Sequence, residues 1–165
     1  MNLMDLPGGI TILTGGRGIG KTRTCQRLAD EALKAGLKVT GLICPAVFEN
    51  GEKTGIDVVN VSTGESRLLA CKVNRQSGFE VTDHWDFFPE VLEWGNNILS
   101  DVKDSDLFLM DELGPLEFDQ QQGWMKAFDV INSLLFKKAV VVIRPELLEK
   151  ARMLWPDANL INMNT

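Results

Sequence analysis

Histidine is almost missing from this sequence: His84 is the only one in 165 residues. A single histidine without partners is more often structural or exposed than catalytic. Cysteine is sparse as well. Cys25, Cys44 and Cys71 are odd in number and share no metal-ligand spacing, so neither a zinc cluster nor a disulfide framework is indicated. They read as reduced thiols, which fits a cytoplasmic protein. Basic residues are in deficit, 17 Lys and Arg against 23 Asp and Glu, for a formal net charge of -6. That balance argues against a general nucleic-acid binder, which carries a basic face, although a local patch stays open. No apolar run approaches the roughly 20 residues that span a bilayer. The start, Met1-Asn2-Leu3-Met4-Asp5, lacks the basic and apolar regions of a signal peptide. No membrane partner is therefore expected. Low-complexity segments, long linkers and internal repeats are also lacking.

What remains is ordinary globular composition, 44% hydrophobic and 24% charged. Residues 1–165 form one expected domain, large enough for a core without metal or disulfides. Ile10-Thr11-Ile12-Leu13-Thr14 reads as a buried strand that ends in glycines. A helix follows, because Cys25, Leu28, Ala29, Ala32 and Leu33 recur on one helical face. Val39 to Ile43 is a second strand, stopped by Pro45. Asn50-Gly51 is a hairpin signal, and Ser62-Thr63-Gly64-Glu65 a second turn. The reading there is a small antiparallel hairpin insertion at about 46–73.

Pro89 opens a helix expected to run to about Lys103. Leu107-Phe108-Leu109-Met110 is a continuous apolar run, the pattern of a strand buried on both faces. The spacing of Trp124, Phe128, Ile131 and Leu135 predicts a helix from about Asp119 to Phe136. Ala139 to Ile143 is strand-like, a short helix starts at Pro145, and a last strand lies near Leu160-Ile161. The alternation of strand and helix implies an α/β fold, a mostly parallel sheet flanked by helices on both faces.

Gly15-Gly16-Arg17-Gly18-Ile19-Gly20-Lys21-Thr22 fits G-x-x-x-x-G-K-[ST] in full, between a strand and a helix. That pattern is the Walker A loop of P-loop NTPases. Its glycines turn successive backbone N–H groups inward toward an anion, and the helix start adds its own N–H groups and positive dipole end. Lys21 is placed to reach the β- and γ-phosphates, and the Thr22 hydroxyl to ligate Mg²⁺. The candidate nucleotide-binding set is Gly15, Gly16, Arg17, Gly18, Ile19, Gly20, Lys21, Thr22 and Arg23. The plain alternative is a glycine turn that only joins strand to helix.

Asp111 follows the apolar run at a strand end, the Walker B arrangement in which Asp holds Mg²⁺. Thr22 and Asp111 are thus the candidate metal residues. Glu112, next along, can orient and polarise an attacking water, so Lys21 and Glu112 are the candidate catalytic pair. A kinase has no use for such a residue, because its acceptor replaces water. Arg17, Arg23, Arg144 and Arg152 are possible charge stabilisers. Arg17 can reach the γ-phosphate or point to solvent; Arg144 can sense the γ-phosphate or simply enter a helix before Pro145. Trp85, Phe87 and Phe88 fit the core better than a base pocket. Glu117 is a second candidate for activating water.

Asp111-Glu112-Leu113-Gly114-Pro115-Leu116-Glu117-Phe118 resembles the D-E-[IL]-G-P-[ML]-E-[LF] run of the small cancer-related nucleoside-triphosphatase family. Gly55 to Val59, Ser62 to Glu65 and Leu68 to Ala70 are similar to further stretches of it. The resemblance covers nearly the whole chain. It implies a RecA-like five-stranded sheet in which one strand separates the Walker A and Walker B strands. It also implies slow hydrolysis of several nucleoside triphosphates, with Lys21 and Thr22 on phosphate and Mg²⁺, Asp111 on Mg²⁺ and Glu112 on the water. Arg144 stands where members often have histidine, Arg17 where many have proline, and the tail after Met163 lacks a frequent N-R ending.

The expected function is Mg²⁺-dependent hydrolysis of ATP, GTP, CTP and UTP. Two other readings compete with it. One is a nucleotide-gated switch, in which triphosphate occupancy shifts a conformation. The other is a nucleotide or small-molecule kinase, which the lack of an acidic residue after the second strand and of an Arg-rich late segment disfavours.

Overall fold

A computed structural model describes residues 1–77 and 80–164, with side chains outside 73–84. The side chain of His84 lies outside the described residues. The elements run β1 (Gly9–Thr14), α1 (Lys21–Lys34), β2 (Val39–Ile43), β3 (Ala46–Glu49), β4 (Glu52–Asn60), β5 (Ser66–Ser77), β6 (Glu80–Phe87), α2 (Pro89–Ser100), β7 (Leu107–Leu113), α3 (Pro115–Phe118), α4 (Lys126–Asn132), β8 (Lys138–Ile143), α5 (Leu148–Leu154) and β9 (Asn159–Asn162). The sheet order is β6-β5-β4-β2-β7-β8-β1-β9, with β3 paired to β4. From β2 to β9 every neighbouring pair is parallel. One strand, β8, separates β1 from β7, which is the RecA-like order.

The apolar strands are buried because helices cover both faces. Along β7, Phe108 and Met110 pack into a core shared with α2, α4 and α5. Leu107 and Leu109 face the opposite core, shared with α1. Side chains alternate across a strand, so Asp111 continues the Leu107, Leu109 series toward α1. Helix α1 buries Cys25, Leu28, Ala29 and Ala32. Leu33, expected on that face, is 44% exposed. Among the described residues no helix is long and apolar enough to cross a membrane.

Two elements differ from expectation. The antiparallel part extends to Phe87 and joins the main sheet, because β4 pairs with the outer edge of β2. An open edge of β2 would leave backbone donors and acceptors unpaired. Strands β5 and β6 pair from Ala70–Phe87 to Ser77–Glu80. Their polar stretches lack the apolar alternation that marks a strand, so the sequence underreports them. The helix expected from Asp119 to Phe136 is instead α3, an irregular loop and α4. Gln121 and Gly123 adopt φ of 53° and 76° there, values a helix does not tolerate.

That loop delivers Trp124 to α2. A Cβ on Gly95 would lie 2.3 Å from the Trp124 ring, and Trp124 is buried. Gly95→Ala gains helix propensity of about 1 kcal/mol, yet overpacks a rigid ring at a cost of about 1–3 kcal/mol. Net destabilisation of about 1 kcal/mol is expected from urea unfolding; a stabilised variant would show that α2 and Trp124 separate without cost.

Candidate active site

The parallel strands β7, β8 and β1 end at one edge of the sheet, and the charged residues gather there. The loop from Gly15 to Gly20 leaves β1 and turns directly into α1. Gly20 caps the helix at φ 103°, a left-handed conformation that glycine adopts without a steric penalty. The helix opens with the Thr24 N–H donating to the Gly20 carbonyl at 2.9 Å. Arg17 and Gly18 form a hydrogen-bonded turn closed by Ile19, and among the described residues no other backbone N–H from Arg17 to Arg23 donates to a protein acceptor. Lys21 folds back across the loop, its Nζ donating to the carbonyls of Gly15 at 2.6 Å and Gly16 at 2.7 Å. The loop therefore pairs two of its carbonyls with its own lysine, while the amides that open α1 stay available.

The other wall is the end of β7. Asp111 is buried, and its carboxylate accepts the Cys44 N–H at 3.2 Å. Burial pushes its carboxyl from 3.8 up to about 6. The Thr22 hydroxyl and the Cys44 N–H oppose the rise, Glu112 adds to it, and Lys21 opposes it more weakly. Thr22 and Asp111 are thus brought together across the loop. Cys44 is drawn into the same place. Burial, with Asp111, Glu117 and Glu112 nearby, raises its thiol well above the usual range, so it stays protonated and unreactive.

Glu112 points to a different partner. Its Oε1 accepts a hydrogen bond from Arg144 Nε at 2.5 Å. The two side chains are 28% and 35% exposed respectively. Arg144 follows β8, so the pair links the ends of neighbouring strands. Arg17 and Arg23 are exposed and form no ion pair among the described residues. Arg152 is exposed on α5.

Glu117 has another job. It is buried, and its two oxygens accept the N–H of Gly114 at 2.8 Å and of Trp124 at 2.9 Å. A Cβ on Gly123 would meet Glu117 Oε2 at 1.9 Å, so the loop closes onto the carboxylate only through glycine. Both oxygens being engaged, Glu117 is a loop clamp rather than a free base. Trp85 and Phe88 pack on the core, and Phe87 is 40% exposed. Strand β6 lies six positions from β1, about 29 Å at the usual strand spacing, so this aromatic cluster does not wall the loop.

Sequence reasoning missed two contacts. Asn164 Oδ1 accepts the Gly16 N–H at 3.1 Å, and Met163 N–H donates to Thr14. Nothing in a lone Asn-Thr ending signals this. The Arg144–Glu112 pair was within reach, because the RecA-like order sets the ends of β7 and β8 side by side.

The model of the NTPase family matches residues 10–153. Nucleoside-triphosphatase THEP1 of Caldivirga maquilingensis is 32% identical over 124 residues, 75% of this chain and 69% of that protein. The THEP1 nucleoside-triphosphatase of Ignicoccus hospitalis is 37% identical over 108 residues, 64% and 58% of the two. The chain thus spans between 58% and 69% of the length of these relatives. Among solved structures, a human cancer-related nucleoside triphosphatase superposes with a TM-score of 0.67 at 22% identity, covering 93% of this chain and 88% of that one. THEP1 from Aquifex aeolicus gives 0.62 at 19% identity, covering 93% and 89%. At those identities the likeness is one of fold. The family match takes in both the glycine loop and the strand that carries Asp111, and the chain belongs to the NTPase family.

Proposed function

We propose that this chain is an Mg²⁺-dependent nucleoside-triphosphatase that converts NTP and water to NDP and phosphate. The observation that carries the reading is the loop itself: unpaired amides of Lys21, Thr22 and Arg23 at the start of a 14-residue helix, with the Lys21 ammonium folded back onto the loop carbonyls. Such a cluster is an anion site whose occupant is a chain of phosphates. Backbone amides read phosphate and carry no base information. Acceptance of ATP, GTP, CTP and UTP follows, with modest differences between them. Three free cysteines suit a reducing, cytoplasmic compartment.

The donor set fits Mg²⁺. Thr22 and Asp111 offer oxygen only, and among the described residues no group of three or more His, Cys, Asp or Glu is arranged to hold a metal alone. Mg²⁺ is typically held by one or two protein oxygens plus substrate phosphates and water. When bound, it neutralises charge on the transferring phosphoryl oxygens. The amides and Lys21 bind and orient the triphosphate. Glu112, one residue past Asp111, accepts a hydrogen bond from the attacking water and aligns it.

Glu112→Gln is the deciding experiment. It is expected to keep ATP and Mg²⁺ binding by calorimetry while single-turnover hydrolysis falls by about 10²–10⁴-fold. Hydrolysis at the wild-type rate would remove the water-activating role and favour a nucleotide-gated switch. Lys21→Ala is expected to weaken triphosphate binding; unchanged affinity would contradict the phosphate site itself.

The raised Asp111 carboxyl has a consequence for pH. Below about pH 3.8 the group is protonated whether the chain is folded or not, so it contributes nothing. Between 3.8 and about 6 the folded state retains a proton that the unfolded state loses, and stability falls as pH rises. Above that the folded protein carries a buried ion at a cost on the order of 3 kcal/mol. Asp111→Asn removes the ion and keeps an acceptor for the Cys44 N–H. Without metal or nucleotide, its melting temperature at pH 8 is expected to exceed that of wild type. The difference should shrink as pH drops below 6 and vanish by roughly pH 4. A gap independent of pH would show that ionisation of Asp111 is not its cause.

A further inference from the structure

We propose that Arg144 is the positioning residue for Glu112: it ties down one carboxylate oxygen and leaves the other aimed for water. The proposal rests on the reading of Glu112 as the group that activates water.

The local backbone makes a tether necessary. Strands β7 and β8 pair in register through Met110–Val141, and pairing resumes at Leu113–Ile143. Three steps on β7 therefore match two on β8. The extra residue falls on the Asp111-Glu112 segment. A bulge of this kind re-aims side chains and takes the local residues out of the ladder. Neighbouring strands thus do not fix the direction of Glu112. A long carboxylate side chain that is 28% exposed has rotamer freedom that nothing else removes.

Arg144 removes it. The residue stands directly after β8, one position past Ile143, beside the end of β7. Its Nε donates to Glu112 Oε1 at 2.5 Å across 32 positions of sequence. No other hydrogen bond or ion pair to Glu112 is found among the described residues. Oε2 is therefore the oxygen available to a water. The geometry also assigns the division of labour between neighbours. Asp111 faces α1 and Thr22, whereas Glu112 is drawn sideways to β8.

Positioning of this kind acts on the rate and leaves the phosphates alone. A reacting group displaced by about 1 Å costs about 10²-fold. Arg144→Gln is thus expected to lower kcat by about 10–10²-fold, with KM and the affinity for a non-hydrolysable triphosphate little changed. Arg144→Lys should recover part of the loss, because it returns a cationic donor without the Nε geometry. Thermal unfolding of both variants should match wild type, since the pair is half-exposed. The cycle with Glu112→Gln is decisive. If Arg144 acts through Glu112, Arg144→Gln should have almost no further effect in the Glu112→Gln background. An equal loss in both backgrounds, or weakened triphosphate binding, would overturn the tether, make Arg144 a direct phosphate contact and leave the role of Glu112 standing. Unchanged kcat in Arg144→Gln would also overturn it. Wild-type hydrolysis by Glu112→Gln alone would instead remove the base, and the proposal with it.

Discussion

Everything chemical in this protein depends on a parallel ladder. Strands β7, β8 and β1 run in one direction and stop at one edge. A parallel sheet needs crossover helices, and these bury both faces. The strands must then be apolar until they emerge, so polar groups concentrate where they end. Asp111, Glu112, Arg144 and the loop after Thr14 meet for that reason. No long-range attraction between charges is required to gather them. The hydrophobic cores on either side fix the strands, and the strands fix the charges.

The same ladder explains what the sequence made legible. The four apolar residues before Asp111 announce a strand buried on both faces, and Phe108 and Leu109 do face opposite cores. The glycine pattern announces its own geometry, since only glycine takes the conformation found at Gly20 without strain. These signals are local and steric, and sequence records them directly. The antiparallel extension through Phe87 was less legible, because strands there are held by backbone pairing with neighbours that sequence spacing does not reveal. The loop after α3 was hidden by aromatic spacing that mimics a helix. Trp124 and Phe128 sit four apart, yet Trp124 belongs to a loop and Phe128 to α4. Candidate residues could be named from the sequence, whereas their pairings follow only once the strand order is known. Arg144 holding Glu112, and Glu117 holding its loop, are contacts between residues whose partners are decided by topology.

Glu117 shows how far the supporting structure reaches. It closes the stretch that begins at Asp111, where the sequence offers it as the second candidate for activating water after Glu112. The fold separates them by environment. Asp111 is buried beneath α1, Glu112 is half-open with one oxygen engaged, and Glu117 is closed off by two amides. Burial also raises the Glu117 carboxyl, while the bonds from Gly114 and Trp124 oppose the rise. The clamp holds Trp124 where it meets Gly95 of α2, so the loop that follows the site is anchored to a helix on the same face of the sheet.

Lys21 is held in place without a ligand. Its ammonium already lies on the carbonyls of Gly15 and Gly16, so its four-carbon stem is ordered before any nucleotide arrives. A free lysine side chain loses about 2 kcal/mol of rotamer entropy when it is immobilised. Here that loss accompanies folding, not association. On the proposed reading, capture of a triphosphate asks the lysine for a short shift of contacts and not for a search through conformations.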